Sequence, residues 1–390
     1  GHHVIKQDHL GDWGTQFGKL ISALKRWGNE EEILNDPEPL KKLVELYVKF
    51  HKEAEKQPEL EDEGRAWFLK LEQEDPEAKR LWQLCIDISM KEFQRIYDRL
   101  AITFDTQLGE SAYESMLPEI LEDIKKLPQA KESEGALLIF FEEEDKLPPL
   151  MVRRTDGATL YATRDLAAAK YRKKTYGADI RVINEVGAEQ TLYFQQVYMA
   201  EELLGYFPRS QRTHLSHGMI RFKDRKMSTR KGDVIWLNDV LNEAVARAGE
   251  INTAVAEQVG IGALRYNDLK REASRDILFS WDEMLSLKGN SGPYLQYTVA
   301  RACSALERAE KLGVVPVSTL SWSEGLSSEI GDLERFIVRF PEVVHRSATE
   351  QAPHHLCTYL YTVAQLFHSY YAHTRIADGD NSQYRVNLTA

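Results

Sequence analysis

Apolar positions fall into different rhythms along the chain. Near the start, His3-Val4-Ile5 reads as a short strand and residues 9–14 as a loop, before Phe17, Leu20, Ile21 and Leu24 recur at helical spacing. Between residues 30 and 127 the helical period dominates. Leu43, Leu46, Tyr47 and Phe50 share one face, as do Leu81, Leu84, Cys85 and Ile88, then Phe93, Ile96, Tyr97 and Leu100. Glu72, Glu74 and Asp75 before Pro76 predict a helix end, and the many charges form a solvated face. Short apolar runs then take over. Ala136–Phe141 and Leu150–Arg153 read as strands, Leu160-Tyr161 as the end of another, and Asp179–Ile183 as a buried one. Thr163 predicts an N-cap ahead of Ala167, Ala168 and Ala169, and Phe194, Val197, Tyr198 and Leu203 lie on one helix face. This strand–helix alternation implies a parallel sheet that binds its ligand at the carboxyl ends of the strands. From Leu237 onward the signals are almost all helical. Leu333, Phe336, Ile337 and Phe340 form one stripe, and Leu356, Leu360, Val363, Phe367 and Tyr370 another, which predicts an all-α bundle.

Composition bounds the picture. A chain of 390 residues exceeds one ordinary core, so two or three domains are expected, and a hydrophobic share of 43% excludes compositional disorder. The net charge of -11 argues against indiscriminate nucleic-acid binding but leaves room for a local basic track. Cys85, Cys303 and Cys357 are far apart, which excludes a disulfide scaffold and a cysteine zinc site; each is expected to be a small core residue in a reducing compartment. With no signal peptide and no bilayer-length apolar run, a cytoplasmic protein that does not enter the membrane is expected.

Several clusters carry candidate chemistry. Arg221, Lys223, Arg225, Lys226, Arg230 and Lys231 crowd between Gly218 and Gly232. Such a stretch suits a polyphosphate, or is a solvated basic turn. Tyr161 and Asp165 offer an aromatic and a carboxylate that would suit a guanidinium, although Asp165 alone would equally favour the helix dipole. Gln190 follows a strand and can serve a ligand's ammonium or carboxylate, or be a satisfied loop residue. Trp13 is a core anchor or a pocket wall. Tyr294 and Tyr297 near Arg301 could stack on unpaired bases, with core packing the plainer reading. His354 and His355 lack a second pair at ligand spacing, so a solvent-facing helix start, and no metal site, is expected.

The order of residues narrows these alternatives. Lys226-Met227-Ser228-Thr229-Arg230-Lys231-Gly232 resembles the Lys-Met-Ser-Lys-Ser element of class I aminoacyl-tRNA synthetases in the form common in arginyl enzymes, with Thr229 at the fourth position. His217-Gly218-Met219-Ile220, Tyr161 to Ala169, Val186 to Gln195 and Gly289 to Tyr297 resemble the same family in the same order. So do Ala66-Trp67-Phe68, Gly109-Glu110-Ser111 and His9-Leu10-Gly11-Asp12-Trp13-Gly14. At the place of Tyr193 the family commonly has histidine.

The resemblance implies an α/β fold: a Rossmann-like, class I nucleotide-binding parallel-sheet domain with a helical insertion, followed by an all-α anticodon-binding bundle. The implied boundaries are 1–29 for part of the catalytic domain, 30–130 for the insertion, 131–255 for the rest of the catalytic domain and 256–390 for the stem-contact and anticodon domain. It implies ATP-dependent activation of L-arginine and transfer to tRNA(Arg) by a monomer, with Mg2+ accompanying ATP. Tyr161, Asp165 and Gln190 would hold arginine. Lys226, Ser228, Arg230 and Lys231 would act on the triphosphate, with His217, Gly218, Met219 and Met227 at the nucleotide. His9, Asp12 and Trp13 would wall the pocket. The family's His-x-Gly-His helix is expected before His3 and further helices after Ala390, so the chain reads as cut at both ends, with little arginine activation by itself. A non-catalytic tRNA-binding relative, one half of a split synthetase, and another class I synthetase are the alternatives.

Overall fold

Helix boundaries in the first third follow from caps that are legible as residues. In the computed structural model, which describes residues 2–221, 235–317, 331–377 and 382–390, β1 is Gln7–Asp8 and α1 is Thr15–Trp27. Asn29 caps α2 (Glu30–Asn35), its side chain accepting from the amides of Glu31 and Glu32. Then follow α3 (Pro39–Ala54) and α4 (Glu59–Glu72). Helix α4 ends at Glu72, where the acidic stretch before Pro76 predicts a helix end, and Asp75 then caps the long α5 (Pro76–Arg99), with Pro76 in its first turn. Leu24, Ile33, Leu43, Cys85 and Ile88 close one core of this helical region, and Ala23, Phe50 and Leu60 another.

Gly18 lets α1 and α4 meet backbone to backbone. A Cβ there would sit 2.1 Å from the carbonyl oxygen of Gly64 and 2.7 Å from the amide nitrogen of Phe68. Only glycine permits that approach.

The N-terminal strand differs from the expected position. Val4 and Ile5 are exposed, and pairing begins at β1, which runs parallel to β2 (Thr106–Gln107). A 3-10 turn, Glu110–Met116, leads into α6 (Leu117–Lys125). β3 (Ala130–Ser133), β4 (Ala136–Ile139) and β5 (Leu150–Arg153) form an antiparallel meander. α7 (Tyr161–Tyr176) packs on it, with Leu166, Ala167, Ala168 and Ala169 fully buried. Burying Leu166 contributes about 1.5–3 kcal/mol. Helix α7 starts two residues before the expected cap. Leu160 stands at its N-cap, while the Thr163 hydroxyl donates to the Val152 carbonyl of β5. β6 (Val182–Gly187), three residues later than expected, is hydrogen-bonded to β7 (Arg212–His217), and α8 (Thr191–Leu203) lies between them in sequence.

The chain divides into two compact units, the first through Ser216 and the second from His217 onward among the described residues. In the second, β8 (Ile220–Arg221) runs parallel to β9 (Ile277–Leu278). α9 (Leu237–Ile251) and α10 (Ala256–Leu269) pack through Ala244 and Ala263, beside α11 (Trp281–Met284). Ser291 caps α12 (Gly292–Lys311) by accepting from the Tyr294 amide. The expected stripe from Leu333 to Phe340 is broken into α13 (Asp332–Ile337) and α14 (Phe340–Thr349), because Pro341 starts a new helix. α15 (His354–His373) and α16 (Ser382–Thr389) complete the unit, whose core includes Ala305, Ala309, Leu333, Phe367 and Val386. Cys85 and Cys357 are buried as expected; Cys303 is exposed. Among the described residues no helix is long and apolar enough to cross a membrane.

Candidate functional site

The first unit gathers its titratable side chains around Asp165, on the second turn of α7. Tyr193, in the first turn of α8, donates its hydroxyl to Asp165 Oδ2. Its ring stands edge-on to that of Tyr161, with centroids 4.7 Å apart, and Tyr161 itself is 55% exposed. Tyr161 thus packs, partly exposed, against the ring whose hydroxyl reaches Asp165. Across from Tyr193, His9 places Nε2 3.7 Å from Asp165 Oδ1. Burial lowers the His9 pKa, with Asp165 pulling the other way. His9 is thus held toward its neutral form and offers the Asp165 carboxylate little positive charge.

Glu110 is the residue that the spacing of motifs did not single out as a ligand. It opens the 3-10 turn next to the His9 loop, its amide donating to the Leu10 carbonyl. Burial pushes its carboxyl up to about 7, with Asp165, Asp12 and Glu114 adding to the rise and Arg164 opposing it. Arg164 is itself engaged 2.5 Å from Glu114. Two carboxylates thus lie within each other's field, with Arg164 only partly offsetting the rise at Glu110. A ligand carrying a delocalised positive charge would relieve that repulsion. The signal available in sequence was the Gly109-Glu110-Ser111 resemblance.

The other loop residues have internal tasks. Asp12 accepts from the Ser111 amide at 2.8 Å and from the Ser111 hydroxyl at 2.6 Å. Its carbonyl accepts from Trp82 Nε1 at 2.7 Å. Trp13 stands edge-on to Phe68 and Trp82, with centroids 5.9 and 5.6 Å away. These contacts make Trp13 an anchor of the loop to the helical region. Gln190 ends the 3-10 turn before α8 and is exposed. It belongs to the same strand–helix connection as Tyr193.

Beneath this cluster lies a buried ion pair. Arg212 Nε is 2.7 Å from Glu201 Oε2, and both side chains are almost fully enclosed. The guanidinium also sits over the Tyr198 ring, 4.6 Å from its centroid. Burial drives Glu201 up to about 7 even against the pull of Arg212, so the pair is only partly compensated.

In the second unit, His217, Gly218 and Met219 lie where the chain approaches residues 273–276. The Gly218 amide donates to the Ala273 carbonyl at 2.8 Å, and a Cβ would come within 2.4 Å of the Arg275 carbonyl carbon. The Met219 amide and Arg221 Nε both donate to Asp276, at 2.8 and 2.6 Å, and hold its carboxyl below the usual range. Met219 is left 56% exposed beside this anchored turn. Lys226, Met227, Ser228, Arg230 and Lys231 lie outside the described residues. Tyr297 is exposed and Tyr294 half-buried; Arg301 lies over the Tyr297 ring at 4.7 Å and meets His368 Nδ1 at 2.8 Å. His355 is largely enclosed, 2.6 Å from Glu350, so the expected histidine pair at the start of α15 is tied down rather than free in solvent.

Comparison with known proteins defines the class first. The sequence model of tRNA synthetases class I (R), catalytic domain, matches residues 1–281, and that of the DALR anticodon binding domain matches residues 295–390. These two matches define a class I aminoacyl-tRNA synthetase catalytic domain joined to an anticodon-binding domain. An arginine–tRNA ligase of Clostridium perfringens is 43% identical over 381 residues, covering 95% of this chain and 66% of that protein. One of Clostridium acetobutylicum is 41% identical over 395 residues, covering 99% and 69%. The chain belongs to the arginyl-tRNA synthetase family. It spans about two thirds of the length of these relatives. Solved structures agree on the fold. The arginyl-tRNA synthetase of Plasmodium falciparum superposes with a TM-score of 0.79 at 24% identity, covering 99% of this chain and 66% of that one. That of Thermus thermophilus gives 0.78 at 23%, covering 100% and 73%.

Proposed function

We propose that this chain carries out the work of an arginyl-tRNA synthetase, joining L-arginine to tRNA(Arg) at the expense of ATP, which enters with Mg2+. In the first step the arginine carboxylate attacks the α-phosphate of ATP, forming arginyl-adenylate and releasing pyrophosphate. In the second, a hydroxyl of the tRNA terminal ribose attacks the arginyl carbonyl, and AMP leaves. Neither step needs a protein nucleophile; placement and charge neutralisation suffice. The observation that carries the reading is the Tyr193 hydroxyl donated to Asp165, with Tyr161 packed against the Tyr193 ring and Glu110 close enough to feel the Asp165 charge. A guanidinium is a planar fork of donors that matches carboxylates side-on, and it carries the charge that this cluster lacks.

In this reading Tyr161 and Asp165 hold the arginine side chain and Gln190 its polar backbone end. Lys226, Ser228, Arg230 and Lys231 neutralise the triphosphate, and His217, Gly218, Met219 and Met227 border the nucleotide. His9, Asp12 and Trp13 belong to the wall, with Asp12 and Trp13 bracing it. The working divisions are 1–29 and 131–255 for the catalytic domain, 30–130 for its insertion and 256–390 for the stem-contact and anticodon domain. The acidic chain acts as a monomer in the cytoplasm.

Replacing Asp165 with Asn tests the arginine assignment. Loss of a charge-assisted hydrogen bond weakens binding by about 1.5–3 kcal/mol, roughly 10- to 150-fold in Kd, measured by titrating the protein with L-arginine in a calorimeter. An Asp165→Asn protein that binds arginine as the parent does would overturn the assignment.

A further inference from the structure

The place where histidine is common in the family holds Tyr193, and its surroundings assign it a task. Its ring is fixed on two sides, edge-on to Tyr161 and to Phe194, whose centroid is 5.4 Å away. Phe194 in turn stacks on His214 at 4.7 Å, and His214 Nε2 is 3.0 Å from the Val186 carbonyl. The ring therefore cannot swing, and its hydroxyl is aimed at Asp165 Oδ2. Burial and the Asp165 charge drive the phenol far above its usual range, so it stays a neutral donor at any physiological pH.

Asp165 needs such a partner. Among the described residues, the basic side chain within salt-bridge distance of it is His9 at 3.7 Å, too long for a hydrogen bond and held toward neutrality by burial. Without Tyr193 the carboxylate would be free to turn about its χ2, a broad torsion. With it, one lone pair of Oδ2 is occupied, and the plane of the carboxylate is set before any ligand arrives. A planar, forked donor such as guanidinium gains from that alignment. An ammonium, which binds a carboxylate from many directions, gains far less.

We infer that Tyr193 is a positioning and specificity residue: its hydroxyl fixes the plane of Asp165 and so favours guanidinium ligands over other side chains of similar length. The inference rests on the arginine reading above. It adds that selectivity comes from orientation supplied by the hydroxyl of Tyr193, in addition to the charge of Asp165.

The test is a calorimetric titration of the parent protein, Tyr193→Phe, Tyr193→His and Asp165→Asn with L-arginine, agmatine, L-lysine and L-citrulline. Phe keeps the ring packing and removes only the donor, so a merely structural role would leave its binding unchanged. The expected result is about a tenfold loss for arginine and for agmatine in Tyr193→Phe, with lysine and citrulline changed less than twofold. The preference for arginine then narrows by about the same tenfold. Tyr193→His, which can donate from its ring, should recover more than half of that loss. Equal losses for arginine and lysine, or a Tyr193→Phe protein indistinguishable from the parent, would overturn the inference while leaving Asp165→Asn to report on the arginine site. If the parent binds neither arginine nor agmatine, or Asp165→Asn changes nothing, the arginine reading itself fails.

Discussion

Glu110 carries the prediction with the clearest sign. In an unfolded chain its carboxyl loses its proton near the ordinary glutamate value of 4.5; in the fold it does so at about 7, chiefly through burial. Between those values the folded chain holds one proton more than the unfolded chain. Stability must therefore fall as pH rises from about 4.5 to about 7, and the penalty is complete above it. Taken at face value, the displacement corresponds to about 3 kcal/mol; solvent screening of a partly exposed group reduces this to about 1–2 kcal/mol. Glu110→Gln removes the penalty without changing the shape. The difference in unfolding free energy between Glu110→Gln and the parent should thus grow by about 1–2 kcal/mol between about pH 5 and about pH 8, with Glu110→Gln favoured at the alkaline end. Urea titrations followed by tryptophan fluorescence measure it. A second readout is independent. A guanidinium settling beside Glu110 forces it to ionise, so arginine binding near neutral pH should release a proton from the parent and none from this site in Glu110→Gln. Calorimetry in buffers of different ionisation enthalpy counts those protons. Parallel pH–stability curves for the two proteins, with no proton released on binding, would refute the argument.

Three further substitutions probe the support of the site. Arg212→Met leaves Glu201 buried without its partner and should cost about 3–5 kcal/mol in thermal or urea unfolding, whereas Arg212→Met combined with Glu201→Leu should recover most of the loss. Gly18→Ala drives a methyl into the Gly64 carbonyl, 2.1 Å away; a cost of about 1–3 kcal/mol is expected in urea unfolding, and a neutral result would mean that α1 and α4 can part without consequence.

The helices were legible in the sequence because their signals are local. The acidic stretch before Pro76 and the stripe of Leu43 with Phe50 specify a helix end and a face without help from distant residues. Failures came where a distant group took over a local one, or where a local breaker inside an apolar stripe was passed over. Thr163 looked like a cap, but the Val152 carbonyl recruits its hydroxyl and the helix begins earlier. The stripe through Phe340 was a true apolar pattern, broken by Pro341. At the site, Asp165 and Tyr161 were singled out for a guanidinium by the family resemblance, since by residue type alone Asp165 would equally favour the helix dipole. Glu110 and Tyr193 were not, because the property that matters is their proximity to Asp165 from segments 55 and 28 residues away in sequence. Spacing along a chain cannot show that a carboxyl is buried or that a phenol points at it.

The clasp on the His9 loop has a consequence for how the molecule is made. Asp12 is held by Ser111, 99 residues later, and by Trp82, 70 residues later, while β1 waits for β2 across a similar interval. Every one of these ties closes a long loop, at an entropic cost that the local contacts of the helices avoid. In a chain emerging from the ribosome the acidic helices are already synthesised before Thr106 and Ser111 arrive to pair with β1 and to hold Asp12. The His9 loop, among the first residues made, therefore cannot be fastened beside Asp165 until Ser111 has followed it.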